Sequence, residues 1–238
     1  MRRVYLYSIY ERIWHWLQAV AILGLLVTGI ELHWPDAFRV LGFSNSVTVH
    51  EVLGFVVLGN AFLALFYHLT TGEIRQYLPE PRDFFTLAVK QARYYLQGIF
   101  RGDPHPIQRG PHRKLNPLQE VTYLVILNVL LPLQVLSGLF MWGAQQWPET
   151  ISAIGGLPTL ARVHTLGGWL FAAFLIAHVY LTTTGSTPLA LIRAMIVGWD
   201  QIEDDHVLEE QSSRSVAHPI EGNGHIEGDH VLAEGRSA

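Results

Sequence analysis

The chain has 238 residues, of which 50% are hydrophobic and only 15% charged, against about 25% charged in an ordinary soluble domain. Its net charge of −4 joins two unlike parts: residues 1–199 carry fourteen basic and ten acidic side chains, while Asp200 onward carries two basic and ten acidic. With no cysteine, disulfides, iron–sulfur clusters, thiolate zinc and covalently attached haem are excluded, and any metal must be held by nitrogen or oxygen. No Walker loop or Gly-x-Gly-x-x-Gly motif supports a nucleotide cofactor, and a body this apolar is unsuited to nucleic acid.

In chain order, Arg2, Arg3 and Arg12 precede a first charge-free window from Ile13 to Ile30. Three more windows follow, Val52 to Gly72, Val121 to Pro148 and Val163 to Ile192. Each reaches about 18 apolar-rich residues or more, enough to cross roughly 30 Å of hydrocarbon at 1.5 Å per residue. Four buried helices of a soluble bundle would need polar faces at helical spacing, and these windows lack them. The fold class expected is therefore all-α, an integral membrane four-helix bundle with spans at about 11–31, 49–71, 118–143 and 161–185. Residues 1–200 form that membrane domain. The first span carries no Ala-x-Ala pattern at its end and is read as retained rather than cleaved.

Basic residues set the orientation. The connection from Glu73 to Pro117 holds eight of the sixteen, whereas the first inter-span loop has only Arg39. Both termini and the long middle loop are therefore expected in the cytoplasm. Within that loop, Phe84, Phe85, Leu87, Tyr94, Tyr95 and Leu96 alternate with Asp83, Lys90 and Arg93, which suits a helix lying in the membrane interface. The segment around Ile192, Met195, Ile196 and Trp199 is a second candidate of this kind. Residues 201–238 are acidic and poor in aromatics, and are expected to form a disordered tail. Asp205-His206-Val207-Leu208 recurs there as Asp229-His230-Val231-Leu232; a solvated tail and a metal-binding one are both open.

Ionisable residues inside a membrane are expensive and point to function. His15, His50, His68, His164 and His178 all fall in or at the edge of the windows. His164 and His178 are fourteen residues apart, about 3.9 turns and 21 Å of rise, so they share one face near opposite surfaces. His50 lies at the outer depth of His164, and His15 at the inner depth of His178. Haem suits two such cross-helix pairs, being large, apolar and satisfied by two neutral imidazoles. Gly54 and Gly168 each follow a histidine by four residues, and Gly24, Gly29, Gly138 and Gly167 offer further close approach; ordinary small-residue packing explains glycines equally well. His68 is eighteen residues from His50 and shares its face at the inner surface. It competes with His15 for an inner haem or serves quinone protonation.

The order and depth of His15, His50, His164 and His178 resemble the four-helix dihaem cytochrome b subunits of membrane-bound oxidoreductases. That superfamily includes nickel–iron hydrogenase cytochrome b, the formate dehydrogenase gamma subunit, thiosulfate reductase cytochrome b and bacterial cytochrome b561. The resemblance covers roughly residues 1–200. It implies two haem b groups with His15, His178, His50 and His164 as their iron ligands, in a multi-pass protein of the bacterial inner membrane. Lys114-Leu115-Asn116-Pro117-Leu118-Gln119 is similar to the Lys-x-Asn-x-x-Gln segment of the formate dehydrogenase and thiosulfate reductase branches, where it implies a quinone site beside the inner haem. From local sequence alone, Asn116 capping the third helix with Pro117 behind it reads as well.

The function expected is electron transfer between a periplasmic-side catalytic or electron-transfer partner, an iron–sulfur or multihaem protein, and the quinone pool. A stand-alone cytochrome b561-like quinone oxidoreductase is the alternative, and a haem-free anchor or transporter a third. The residues identify neither the partner nor the direction of electron flow.

Overall fold

The computed structural model describes residues 2–72, 84–103, 117–185 and 187–202. Four of its helices are long and apolar enough to cross a membrane. Helix α1 is Ile9–His33 and α2 is Phe43–Thr71. The third span, Leu118–Trp142, is composite: α5 (Pro117–Val125), a widened π turn at Ile126–Leu130, and α6 (Leu131–Trp142). Helix α8, Gly156–Thr182, is the fourth. Shorter helices α3 (Phe84–Arg93) and α4 (Ile99–Arg101) flank a second π turn before the third span, α7 (Pro148–Ala153) precedes the fourth, and α9 (Ala190–Val197) follows it.

Local chemistry explains these limits. The Ser8 hydroxyl accepts from Glu11 N–H at 3.2 Å while Ser8 N–H donates to the Glu11 carboxylate at 2.7 Å, a reciprocal cap that starts α1. Helices α2 and α8 begin several residues earlier than the apolar windows do, at Phe43 and Gly156. Hydropathy measures the lipid-crossing stretch, whereas helix ends follow from caps and turns. The π turn in the third span ends just before Pro132, which has no N–H to give the preceding turn, and a widened turn absorbs that loss.

The bundle is apolar outside and partly polar within. Val20, Leu23, Phe62, Phe66, Leu133, Leu136 and Ile176 are exposed, while Ala21, Thr28, Ser46, Asn60, Ala64 and Ser137 are buried. Lipid is as apolar as leucine, so helix association in a membrane relies on small residues and interhelical hydrogen bonds. Mid-span, Asn60 Nδ2 donates to Gln18 Oε1 at 2.8 Å and to the Trp14 carbonyl at 3.3 Å, tying α1 to α2. The tightest packing is within two antiparallel hairpins, α1 with α2 and α6 with α8; contact between the hairpins is sparse.

One element escaped the sequence reading. Strand β1 (Arg2–Tyr5) pairs antiparallel with β2 (Trp199–Ile202), in the register Arg3 to Gln201 and Val4 to Asp200. The chain ends of the bundle are therefore on the same side of it. Helix α9 docks on the start of α1 through Arg12 Nη1 to the Ile196 carbonyl at 2.6 Å and Trp16 Nε1 to the Met195 carbonyl at 3.1 Å. The Gly198 carbonyl accepts from Leu6 N–H at 2.9 Å and Tyr7 N–H at 3.3 Å, and the Arg3 guanidinium lies 5.0 Å from the Trp199 ring centre. Four-residue strands carry too little periodicity to be read against adjacent apolar windows.

Gly198 has φ +86°, and a Cβ there would meet the Tyr7 carbonyl at 2.8 Å and the Tyr5 ring at 2.6 Å. Gly198→Ala is expected to cost on the order of 1–3 kcal/mol at this seam. Thermal unfolding in detergent should begin at lower temperature, and limited proteolysis should cut the N-terminal strand sooner. An unchanged melting temperature and cleavage rate would show that the seam does not hold α9.

Candidate functional site

Four histidines line the sparse boundary between the hairpins. His50 on α2 faces His164 on α8, and His15 on α1 faces His178 further along α8; the ring centres of both pairs are 6.1 Å apart. An iron ion with an imidazole nitrogen on each side at about 2 Å, and each ring centre about 1 Å beyond, requires ring centres about 6 Å apart. The interplanar angles are 69° for the pair nearer the α1–α2 turn and 45° for the other.

The surroundings were tested for room and for donor chemistry. No heavy atom would lie within 4 Å of a Cβ at Gly54 or Gly168, so space opens beside His50 and His164. Among the described residues there is no cluster of three or more His, Asp or Glu that could enclose a bare metal ion. Two imidazoles alone suit a metal whose remaining positions are filled by a macrocycle, and haem fits this donor set. The Gln134 side-chain amide lies 3.2 Å from His164 Nε2.

A match to the model of the prokaryotic cytochrome b561 family spans residues 6–198. The chain belongs to that family. It is a multi-pass membrane cytochrome of the b type, concerned with electron transfer. It is similar to cytochrome YdhU of Escherichia coli, 32% identical over 202 residues that cover 83% of this chain and 74% of the relative. It also resembles the B-type cytochrome subunit named for Ni/Fe-hydrogenase in Rhodobacter capsulatus, 25% identical with 86% and 84% of the two chains covered. A third relative is YedZ1 of Azospira oryzae, a subunit named for protein-methionine-sulfoxide reductase, 25% identical over 76% of this chain and 92% of its own.

In this cytochrome His68 stands apart from the rings of His15 and His178. It is buried, with its ring 6.1 Å from Trp14 and 5.5 Å from Tyr67, which itself stacks on Tyr10 at 3.9 Å. The geometry brings His15, rather than His68, against His178. His178 packs beside Phe174 at 5.4 Å, and His15 has the edge of Trp16 at 5.4 Å. Phe171 is buried on α8, seven residues from both His164 and His178, so two helical turns place it midway on their shared face. Gln119 lies in the first turn of α5, next to the buried Glu120. Helix α3 packs against α5 and buries Gln91 completely. Asn116 and Lys114 lie outside the described residues, as do residues 203–238 and their histidines; residues 201 and 202, expected in a disordered tail, belong to β2 instead.

Sequence reasoning missed several polar residues of this site. Glu31, which marks the end of the first charge-free window, is 1% exposed. Its Oε1 accepts from Gly42 N–H at 2.6 Å, and its Oε2 from Leu41 N–H at 3.0 Å and the Ser46 hydroxyl at 2.7 Å. The carboxylate thus satisfies the backbone amides of Leu41 and Gly42 that lead into α2, about two turns before His50. Thr28, three residues before Glu31, reaches His50 Nδ1 at 2.8 Å, and Ser137 on α6 reaches His164 Nδ1 at 3.0 Å. A glutamate at a window's end looks like an ordinary boundary charge; only the fold of residues 34–42 turns three donors onto it.

Glu31→Leu leaves those three donors without their acceptor. At about 1–3 kcal/mol for each unsatisfied group, the loss should be on the order of 3 kcal/mol or more. Glu31→Gln keeps one acceptor oxygen and should fall between. Thermal unfolding followed by circular dichroism in detergent should rank the parent above Glu31→Gln and Glu31→Leu last; equal stabilities would refute the anchoring role.

Proposed function

We propose that this cytochrome carries two haem b groups, an outer one held by His50 and His164 and an inner one held by His15 and His178. It acts as the electron-transfer subunit that links a periplasmic-side oxidoreductase to the quinone pool of the bacterial inner membrane. The observation that carries the reading is the pair of 6.1 Å ring separations at two depths of one bundle. When bound, haem supplies one-electron exchange between iron(III) and iron(II). The protein's own part is to orient the imidazoles, exclude water from the seam and keep the two sites at fixed separation.

The quinone end of the path is assigned to the inner surface, around Asn116 and Gln119. Both are amides able to donate to a quinone carbonyl, and the helix α3 that packs on α5 would shield the headgroup. His68, in the last turn of α2, and Glu120, in the first turn of α5, would exchange protons with the cytoplasmic side. The basic middle loop supports a cytoplasmic placement of that end. A catalytic partner on the opposite surface is supported by the relatives named as subunits of hydrogenase and of a reductase.

Purified in mild detergent, the protein should bind two haems per chain and give a b-type reduced-minus-oxidised spectrum. His50→Ala and His15→Ala should each remove one haem, whereas His68→Ala should keep both. One haem in the parent, or two in His15→Ala, would overturn the assignment. Asn116→Leu with Gln119→Leu should slow haem reduction by added quinol at least tenfold, with haem content unchanged. A lone dihaem protein that is active without a co-purifying partner would instead favour the stand-alone quinone oxidoreductase.

A further inference from the structure

The two outer-depth histidines are supported by the same local device on different helices. Thr28-Gly29 on α1 faces His50, and Ser137-Gly138 on α6 faces His164. A Cβ at Gly29 would lie 3.4 Å from His50 Cε1, and one at Gly138 would lie 3.1 Å from His164 Cε1. In each hairpin the glycine lets the ring settle on the neighbouring helix, and the preceding hydroxyl meets its Nδ1.

Counting protons fixes the direction of these hydrogen bonds. A hydroxyl has one proton to donate, and a carbonyl can only accept. Thr28 Oγ1 lies 2.8 Å from the Gly24 carbonyl and 3.3 Å from that of Leu25. Ser137 Oγ lies 2.7 Å from the Leu133 carbonyl and 3.1 Å from that of Gln134. Each hydroxyl proton is committed to its own helix, so each oxygen accepts from the histidine. Nδ1 therefore carries the hydrogen in both rings and Nε2 is bare. The inner-depth pair differs: His15 Nδ1 is buried with no hydrogen-bond partner among the described residues, and its pair is flanked by Trp16 and Phe174.

We propose that Thr28 and Ser137 are positioning residues for the outer haem, which set both ligand tautomers and hold its midpoint potential below that of the inner haem. The proposal rests on the dihaem reading above. An imidazole whose N–H is given to an acceptor becomes a more basic ligand, and a hydroxyl already donating to a carbonyl is a polarised, better acceptor. A more basic axial ligand favours iron(III) over iron(II), which lowers the potential. With haem held by both pairs, the residues around His50 and His164 would make the outer site the electron donor and those around His15 and His178 the acceptor, in a one-electron exchange that needs no bond broken and no proton moved. The device favours flow from the outer partner towards quinone.

Redox titration of the purified full-length protein, followed by haem absorbance, tests this. Thr28→Val removes the hydroxyl at nearly constant volume, and Ser137→Ala removes the other. With both haems bound, one of two one-electron waves should move upward by about a tenfold change in the iron(III)/iron(II) equilibrium, about 59 mV. The double variant should move it further, and Thr28→Ser should leave it in place. The moving wave should be the one that survives in His15→Ala. Should Thr28→Val lose a haem, retention in Thr28→Ser supports the role and loss in both refutes it. Two waves that ignore the hydroxyls, or movement of the wave lost in His15→Ala, overturn this inference alone. Two haems that titrate in a single wave also overturn this inference alone, whereas a parent with no haem or one haem per chain overturns the dihaem reading and this inference with it.

Discussion

A polar group in hydrocarbon has no water to turn to, and that constraint governs the whole molecule. Each buried polar side chain must find its partner within the protein or be matched by a ligand. Thr28 and Ser137 bond to their own helix carbonyls and to a histidine; Asn60 takes Gln18; Glu31 takes two backbone amides and a hydroxyl. At the seam between the hairpins, two of the histidines are drawn into this matching through Thr28 and Ser137, while His15 Nδ1 is buried with no hydrogen-bond partner among the described residues.

The same constraint explains why the bundle is built as two tight hairpins with little contact between them. Close packing is concentrated where small and hydroxyl-bearing residues let α1 approach α2 and α6 approach α8. The seam between the hairpins is lined by two pairs of rings whose centres stand 6.1 Å apart, the separation that an ion held between two imidazole nitrogens requires. The β1–β2 seam and the docking of α9 then brace the end of the bundle nearest His15.

Much of this was legible in the sequence because the signals were long. Charge-free windows of eighteen residues or more leave little choice of element, and the fourteen-residue interval between His164 and His178 fixes a common helix face whatever the exact helix ends. That interval, with the depths of His15 and His50, predicted which rings meet. The short-range features were not legible. Glu31 looks like a boundary charge until residues 34–42 fold its donors over it, and four-residue strands at the chain ends are too brief for a pattern. His68 shows a different limit. Its eighteen-residue spacing from His50 placed it correctly in depth, but spacing along one helix says nothing about which neighbour it meets, and Trp14 and Tyr67 took that place.

The Thr28-Gly29 and Ser137-Gly138 pairs lie between these extremes. Each is a hydroxyl followed by a glycine, near the end of the first helix of a hairpin, and each supports a histidine near the start of the second. Read singly, such a dipeptide is ordinary membrane-helix composition. Its recurrence in both hairpins becomes meaningful only with the partner ring in view. The inner-depth pair has no such support at His15 Nδ1 and is flanked by aromatic rings instead. One bundle therefore offers two imidazole pairs of equal spacing and unequal hydrogen bonding. On the dihaem reading proposed above, equal spacing would let the same cofactor fit twice, and unequal hydrogen bonding would let the two copies differ in potential.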